Sequence, residues 1–394
     1  MGHSPPPSQG VSVMSADVLT AIADLAPRLT AAAARADAER RVADETVAAM
    51  RDAGTFRVTR PSRHGGGEAS IRTHLDVSSA VAAIDGGAGW CTALWNGGNW
   101  ITAQFPEQAQ QDVWGAEPEA LVSGTLMPSG PVGRVEGGYR LSGEWTYASG
   151  IGHASWGLAA AVLDGGLAWL LVPRADFEVV DEWHVAGMRS TGSNRFVVRD
   201  AFVPDHRVLW LERMVAGANV TPDAATTYRA AFVPSLVTMI SGPLLGLGRA
   251  ALAHVIDAAP DKGIAYTGFD RQRDSTAFQL LVAEAASAVD SAELHAYRAA
   301  DLLDRHAADA EYPSELLRAR CRADASVAVR HVTRALETLL YAHGSRGFAD
   351  SSPLQRMWRD ANVAARHGML LPQVNLELYG AALVGAENAV SPFV

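Results

Sequence analysis

The chain has 394 residues, a formal net charge of −10, 48% hydrophobic and 19% charged residues, the profile of a globular protein able to bury a large core. An acidic surface argues against nucleic acid and anionic membrane as partners, because both recruit cationic faces. Its two cysteines, Cys91 and Cys321, exclude a disulfide framework or a cysteine-rich metal site, and suit a reducing cytoplasm.

Residues 1–14 are polar and proline-rich, without the basic and apolar blocks of a signal peptide, and read as a disordered lead-in. No apolar run is read as a transmembrane span. From 15 to 117 the pattern is helical. Val18, Leu19, Ile22, Leu25 and Leu29 recur on one helical face. Further helices are expected over 38–53, closed by Gly54, over 71–84, and over 89–104. Between them, Pro61-Ser62-Arg63-His64-Gly65-Gly66-Gly67 is loop chemistry.

From 118 to 227 short β-type runs alternate with Gly and Asp turns, and Val135-Glu136-Gly137-Gly138-Tyr139 signals a hairpin. A small β-barrel or sandwich domain is expected there. From 228 to 394 the segments 235–258, 272–306, 312–343 and 355–381 are long, rich in Ala and Leu, and closely connected, as in an antiparallel four-helix bundle. The fold class is therefore α+β, with helical, β and bundle domains in that order. Gly246-Leu247-Gly248 mimics a dinucleotide fingerprint but lacks the flanking βαβ pattern, and the twelve histidines show no metal-ligand spacing.

Three stretches carry a family resemblance. They are Gly143-Glu144-Trp145-Thr146-Tyr147-Ala148-Ser149-Gly150, Gly187-Met188-Arg189-Ser190-Thr191-Gly192-Ser193-Asn194, and the run from Leu354 through Arg359-Asp360-Ala361 to Arg366-His367. In this order they resemble the acyl-CoA dehydrogenase-like flavoproteins across most of the chain. A dehydrogenase of that fold has its catalytic glutamate shortly after Arg-Asp-Ala, where this chain has Arg366-His367-Gly368. The histidine points instead to the two-component, flavin-dependent monooxygenases built on the same fold.

The resemblance implies a set of roles. Reduced FMN or FAD would arrive from a separate NAD(P)H:flavin reductase, and O2 would add at flavin C4a in a site that protects the adduct from water. Trp145, Ser149 and Gly150 would pass beside the ring, with the Ser149 hydroxyl at N5. Met127 and Ser129, in the loop Ser123–Gly130, would approach the flavin through backbone amides, and Arg189 and Ser193, in the turn 187–194, would also be cofactor-binding. Arg271 would reach a neighbouring subunit's flavin phosphates. His367 would take the proton of a phenolic or similarly electron-rich substrate, an imidazole near neutrality being suited to that task. Trp90, Trp95, Asn96 and Asn99 would wall the substrate pocket. A homotetramer assembled through the bundle is expected.

Each motif also has a plainer reading. The strand end is a Ser-Gly turn, the arginines are surface or domain-joining residues, and the tryptophan helix is core. Two alternative functions stay open: an acyl-CoA dehydrogenase, and a flavin-less binding or assembly module on the same fold.

Overall fold

The computed structural model describes residues 13–394 except Pro222 and Pro392. Of the lead-in expected at 1–14, residues 1–12 lie outside the described residues, while Val13 and Met14 belong to the first helix instead. Helix α1 spans Val13–Glu39, and α2 spans Asp44–Asp52. The single helix expected from Ala38 does not form, because the chain turns at Arg40, which has φ 58° and pairs with Asp181 at 2.7 Å. Helices α3 (Ile71–Ala82), α4 (Gly86–Thr102) and α5 (Glu107–Trp114) follow. Ser70 caps α3 and Asp85 caps α4, each side chain accepting a hydrogen bond from a first-turn N–H. The short α5 was not expected; Pro106 opens it.

The strands are β1 (Val122–Gly124), β2 (Val132–Val135), β3 (Gly138–Ala148), β4 (Trp156–Leu163), β5 (Gly166–Pro173), β6 (Phe177–Val180), β7 (Asn194–Pro204) and β8 (Val208–Trp210). Among the described residues they form two four-stranded sheets, in the orders β1-β4-β5-β8 and β2-β3-β7-β6. Only β1 and β4 run parallel. The expected hairpin is the β2–β3 connection, with Gly137 at φ 74°. Between the sheets Trp145 stacks on Phe196 at 5.1 Å, and its indole N–H donates to Ala160 O at 2.8 Å.

After the short α6 (Leu211–Val215) come α7 (Phe232–Met239), α8 (Gly242–Ala258), α9 (Thr276–Ala308), α10 (Glu315–His343), α11 (Pro353–Ala364) and α12 (Pro372–Val384). The first expected bundle segment is thus α7 plus α8, with Pro243 in the first turn after the break. The fourth is α11 plus α12, interrupted before Pro372. The segment Phe232–Ala258 has membrane-like hydropathy, but 78% of its most apolar window is buried, so it is core. Gly246 serves packing: a Cβ there would overlap the carbonyl of Ser79, so its absence lets α8 lie close on α3.

The interruption between α11 and α12 matters most for the site. His367 does not extend α11. It caps the single 3-10 turn Gly368–Leu370, with its ring Nδ1 accepting from Met369 N at 3.3 Å.

Candidate active site

Four segments converge where α4, the end of β3, the turn 187–194 and the α11–α12 break meet. Helix α4 contributes Trp90, whose ring centroid lies 5.8 Å from that of His367. On its other edge the Trp90 indole N–H donates to Ser149 Oγ at 3.1 Å. Ser149 Oγ lies 2.6 Å from Ser193 Oγ, which lies 2.6 Å from Thr191 Oγ1. The backbone is fixed as tightly: Ser123 Oγ donates to Ser149 O at 2.6 Å, and Gly150 N donates to Thr191 O at 2.8 Å. Trp90, Ser149, Thr191 and Ser193 are each at most 5% exposed.

Three glycines make this convergence possible. Gly150 has φ 70°, and a Cβ there would stand 2.6 Å from the Trp95 ring. A Cβ on Gly87 would overlap Ser190 Oγ, and one on Gly187 would overlap the carbonyl of Arg359. The turn 187–194 therefore docks against α4 on one side and α11 on the other. Asp360 completes the α11 contact, its Oδ1 accepting from Met188 N at 2.5 Å.

Burial pushes the Asp360 carboxyl up to about 7; the Met188 N–H opposes this, while Asp85 and Asp37 reinforce it. Because this folded value exceeds the unfolded one, the stabilisation is complete below about pH 4 and is lost as pH rises through about 7. Asp360→Asn retains the acceptor without the charge. It is expected to flatten the decline in stability between pH 5 and 8 by about 1–3 kcal/mol, read by urea unfolding across that range. A decline unchanged by the substitution would show that another group is responsible.

His367 is half-buried, and burial pushes its imidazole down to about 4, so the ring is neutral at pH 7. With Nδ1 accepting from Met369, the ring hydrogen resides on Nε2. The expectation from sequence is a base titrating near neutrality; burial holds the ring below that range, and with Nδ1 engaged by Met369 N the Nε2–H is the ring's remaining donor. Two large side chains stand exposed on the segments flanking Ser149, Met127 at 72% and Tyr147 at 69%. A flat, partly apolar ring with hydrogen-bonding nitrogens matches this combination of apolar rim and convergent hydroxyls.

Comparison with known proteins agrees. The family profile described as "Acyl-CoA dehydrogenase, C-terminal domain" matches residues 238–372. The chain is 33% identical to the flavin-dependent monooxygenase oxygenase subunit HsaA of Mycobacterium tuberculosis, over 92% of this chain and 94% of that one. The chain belongs to the oxygenase components of flavin-dependent monooxygenases. It is also 32% identical to the FADH2-dependent resorcinol hydroxylase oxygenase component of Rhizobium sp., over 98% of both chains. Among solved structures, XiaF from Streptomyces sp., in complex with FADH2 and glycerol, superposes with a TM-score of 0.92 at 36% identity, covering 96% of this chain and 97% of that one. The protein is thus a flavin-dependent enzyme on the acyl-CoA dehydrogenase fold, and "oxygenase subunit" or "component" in the relatives' names implies a separate reductase.

Within this oxygenase, the residues singled out from sequence divide. His367, Trp90, Ser149, Gly150 and Ser193 come together. Met127 and Ser129 lie on the adjoining loop, where Ser129 N donates to Ala160 O at 3.2 Å. Trp145, expected beside the flavin ring, is 1% exposed between the sheets and supports the strand that leads to Ser149. Arg189 is spent on the carbonyls of Asp37 and Val185, both at 3.0 Å, and ties α1 to the turn. Arg271 stays outside the cluster, exposed in the loop before α9 and paired with Asp274 at 2.7 Å.

Trp95 and the asparagines are also placed elsewhere than expected. Successive tryptophans on α4 are five residues apart, a rotation of about 140° per step on a helix, so they cannot share a face. Trp95 turns to Phe56, and Trp100 donates to Thr227 O at 3.0 Å. Asn96 holds the 55–58 loop, donating to Thr55 O at 2.9 Å and accepting from Val58 N at 3.1 Å; Asn99 donates to Phe56 O at 2.6 Å. Asn96→Ala is expected to cost about 2 kcal/mol of unfolding free energy, through orphaned backbone groups, with little change in substrate KM. A raised KM at unchanged stability would return Asn96 to the pocket.

Thr191, Ser123 and Asp85 received no role from sequence. Thr191 sits within the quoted turn motif, but only its distance to Ser193 reveals its part.

Proposed function

We propose that this oxygenase hydroxylates a phenolic small molecule with reduced FAD and O2. The observation carrying the reading is the neutral, half-buried His367, held against Trp90, which itself donates to Ser149. Relatives named for resorcinol and p-hydroxyphenylacetate, the latter from Acinetobacter baumannii at 27% identity, support a phenolic substrate. The FADH2 named for both the resorcinol hydroxylase and XiaF supports FAD over FMN.

When bound, reduced flavin supplies the electrons that divide dioxygen between product and water. The protein's own groups do the rest. Ser149 would hold the flavin at N5 with a hydroxyl placed by Trp90 and Ser193, and Met127 would cover an apolar edge. His367 holds the phenolic oxygen by donating from Nε2, which orients the ring for attack. The packing of α4, β3 and the 187–194 turn keeps water from the reacting atoms.

A dehydrogenase reading lacks its base: the α11 carboxylate, Asp360, is buried and committed to Met188 N. We further propose that an NAD(P)H:flavin reductase delivers the flavin in the cytoplasm, that Arg271 meets a neighbouring subunit's flavin phosphates, and that a homotetramer forms through the bundle. Exposed Leu280 and Leu294 on α9 support that assembly.

The test is stopped-flow mixing of the anaerobic protein, loaded with reduced FAD, against oxygenated buffer with and without a phenol panel. A near-ultraviolet absorbing species that outlives free-solution oxidation, and decays with hydroxylated product, is expected. Immediate return to oxidised flavin without product would overturn the reading.

A further inference from the structure

Counting hydrogens in the buried cluster gives its hydrogen bonds one direction as long as the Thr191 hydroxyl donates to Met188 O. An indole N–H only donates, so Trp90 occupies one lone pair of Ser149 Oγ. A carbonyl only accepts, so the 2.8 Å contact from Thr191 Oγ1 to Met188 O uses the single hydroxyl hydrogen of Thr191. Ser193, 2.6 Å from Thr191 Oγ1, must then donate to Thr191. Ser149, 2.6 Å from Ser193, in turn donates to Ser193. The chain runs from Trp90 through Ser149, Ser193 and Thr191 to the Met188 carbonyl. In this direction Ser149 has a free lone pair and no free hydrogen.

The opposite direction is accessible. Met188 O also accepts from Trp183 Nε1 at 2.8 Å and Thr191 N at 3.2 Å, so it stays satisfied when the Thr191 hydroxyl turns away. Thr191 then donates to Ser193, Ser193 donates to Ser149, and Ser149 sends its own hydrogen outward. The resting direction holds one more hydrogen bond, that from Thr191 to Met188 O, so the unliganded site favours a partner that donates to Ser149.

We propose that Thr191 is a positioning residue that makes this site prefer reduced flavin. N5 of a reduced flavin carries a hydrogen and matches the resting direction; N5 of an oxidised flavin carries only a lone pair and requires the chain to reverse. The proposal rests on the reading of Ser149 as the N5 partner.

Thr191→Val keeps the shape and removes the acceptor, leaving Ser149 as the acceptor for the Ser193 hydrogen and fixing Ser149 as an outward donor. The experiment measures the dissociation constants of reduced FAD, anaerobically, and of oxidised FAD for wild type, Thr191→Val, Thr191→Ser and Ser193→Ala. The wild type is expected to prefer reduced FAD. Thr191→Val should lose about tenfold of that preference, Thr191→Ser should keep it, and Ser193→Ala should lose it by breaking the chain. If Thr191→Val does not fold, the comparison of Ser193→Ala with Thr191→Ser carries the same test. Equal preference in wild type and folded Thr191→Val, or in wild type and Ser193→Ala, would overturn the relay while leaving the flavin site standing. A wild type that binds neither form would overturn the Ser149 reading, and the relay with it.

Discussion

His367→Ala is expected to lower product formation by about 100-fold while flavin affinity changes by less than about threefold. The ring reaches the cluster by packing on Trp90, not by bonding to Ser149, so removing it should leave the flavin side of the site intact. What disappears is the Nε2–H that, on the proposed reading, would orient the phenolic oxygen, and reduced flavin should then discharge as hydrogen peroxide instead of product. Parallel assays of oxygen consumed, peroxide released and product formed check this directly. Because burial holds the imidazole at about 4, His367 should add no break near pH 6–7 to the kcat/KM profile. Product yield unchanged in the alanine variant would remove His367 from the reaction.

Gly187→Ala is expected to destabilise the protein by about 3 kcal/mol and to weaken flavin binding as well. The added methyl would overlap the carbonyl of Arg359 and stand 2.7 Å from Asp360 N, and these are backbone atoms that no rotamer change can move. To relieve the clash, α11 must separate from the turn, which strains both the Asp360–Met188 N bond and the contact of Arg359 with Ala186 O. Since the turn carries Thr191 and Ser193, the damage reaches the site. Gly97→Ala supplies the control, because a Cβ there meets nothing within 4 Å and alanine favours the helix. Urea unfolding of both variants, with FAD titration, distinguishes a local clash from a general intolerance of α-carbon substitution.

Much of the architecture was legible because its signals are local. Helical periodicity located α1, α3, α4 and the long bundle helices, and the glycine pair after Glu136 located the β2–β3 hairpin. Boundaries were less legible where a tertiary contact intervenes. Arg40 ends α1 by pairing with a residue 141 positions away, which no local pattern encodes. For the site, the resemblance carried by three short motifs singled out His367, Ser149 and Ser193, and the structure brings them together around Trp90.

The sequence by itself determined the order of helical, β and bundle segments, the flavoprotein resemblance, and the histidine standing where a dehydrogenase has its glutamate. Only the tertiary structure decided what each side chain does. Trp145 went to the core, Asn96 and Arg189 to backbone carbonyls, and, of the three α4 tryptophans, Trp90 to the Ser149 hydroxyl. Thr191 came within 2.6 Å of Ser193, and His367 came to cap a 3-10 turn beside Trp90. The physical reason is that a side chain's role depends on burial and on which donors and acceptors surround it. Those neighbours come from segments that are distant in sequence, here α4, β3, the 187–194 turn and the α11–α12 break.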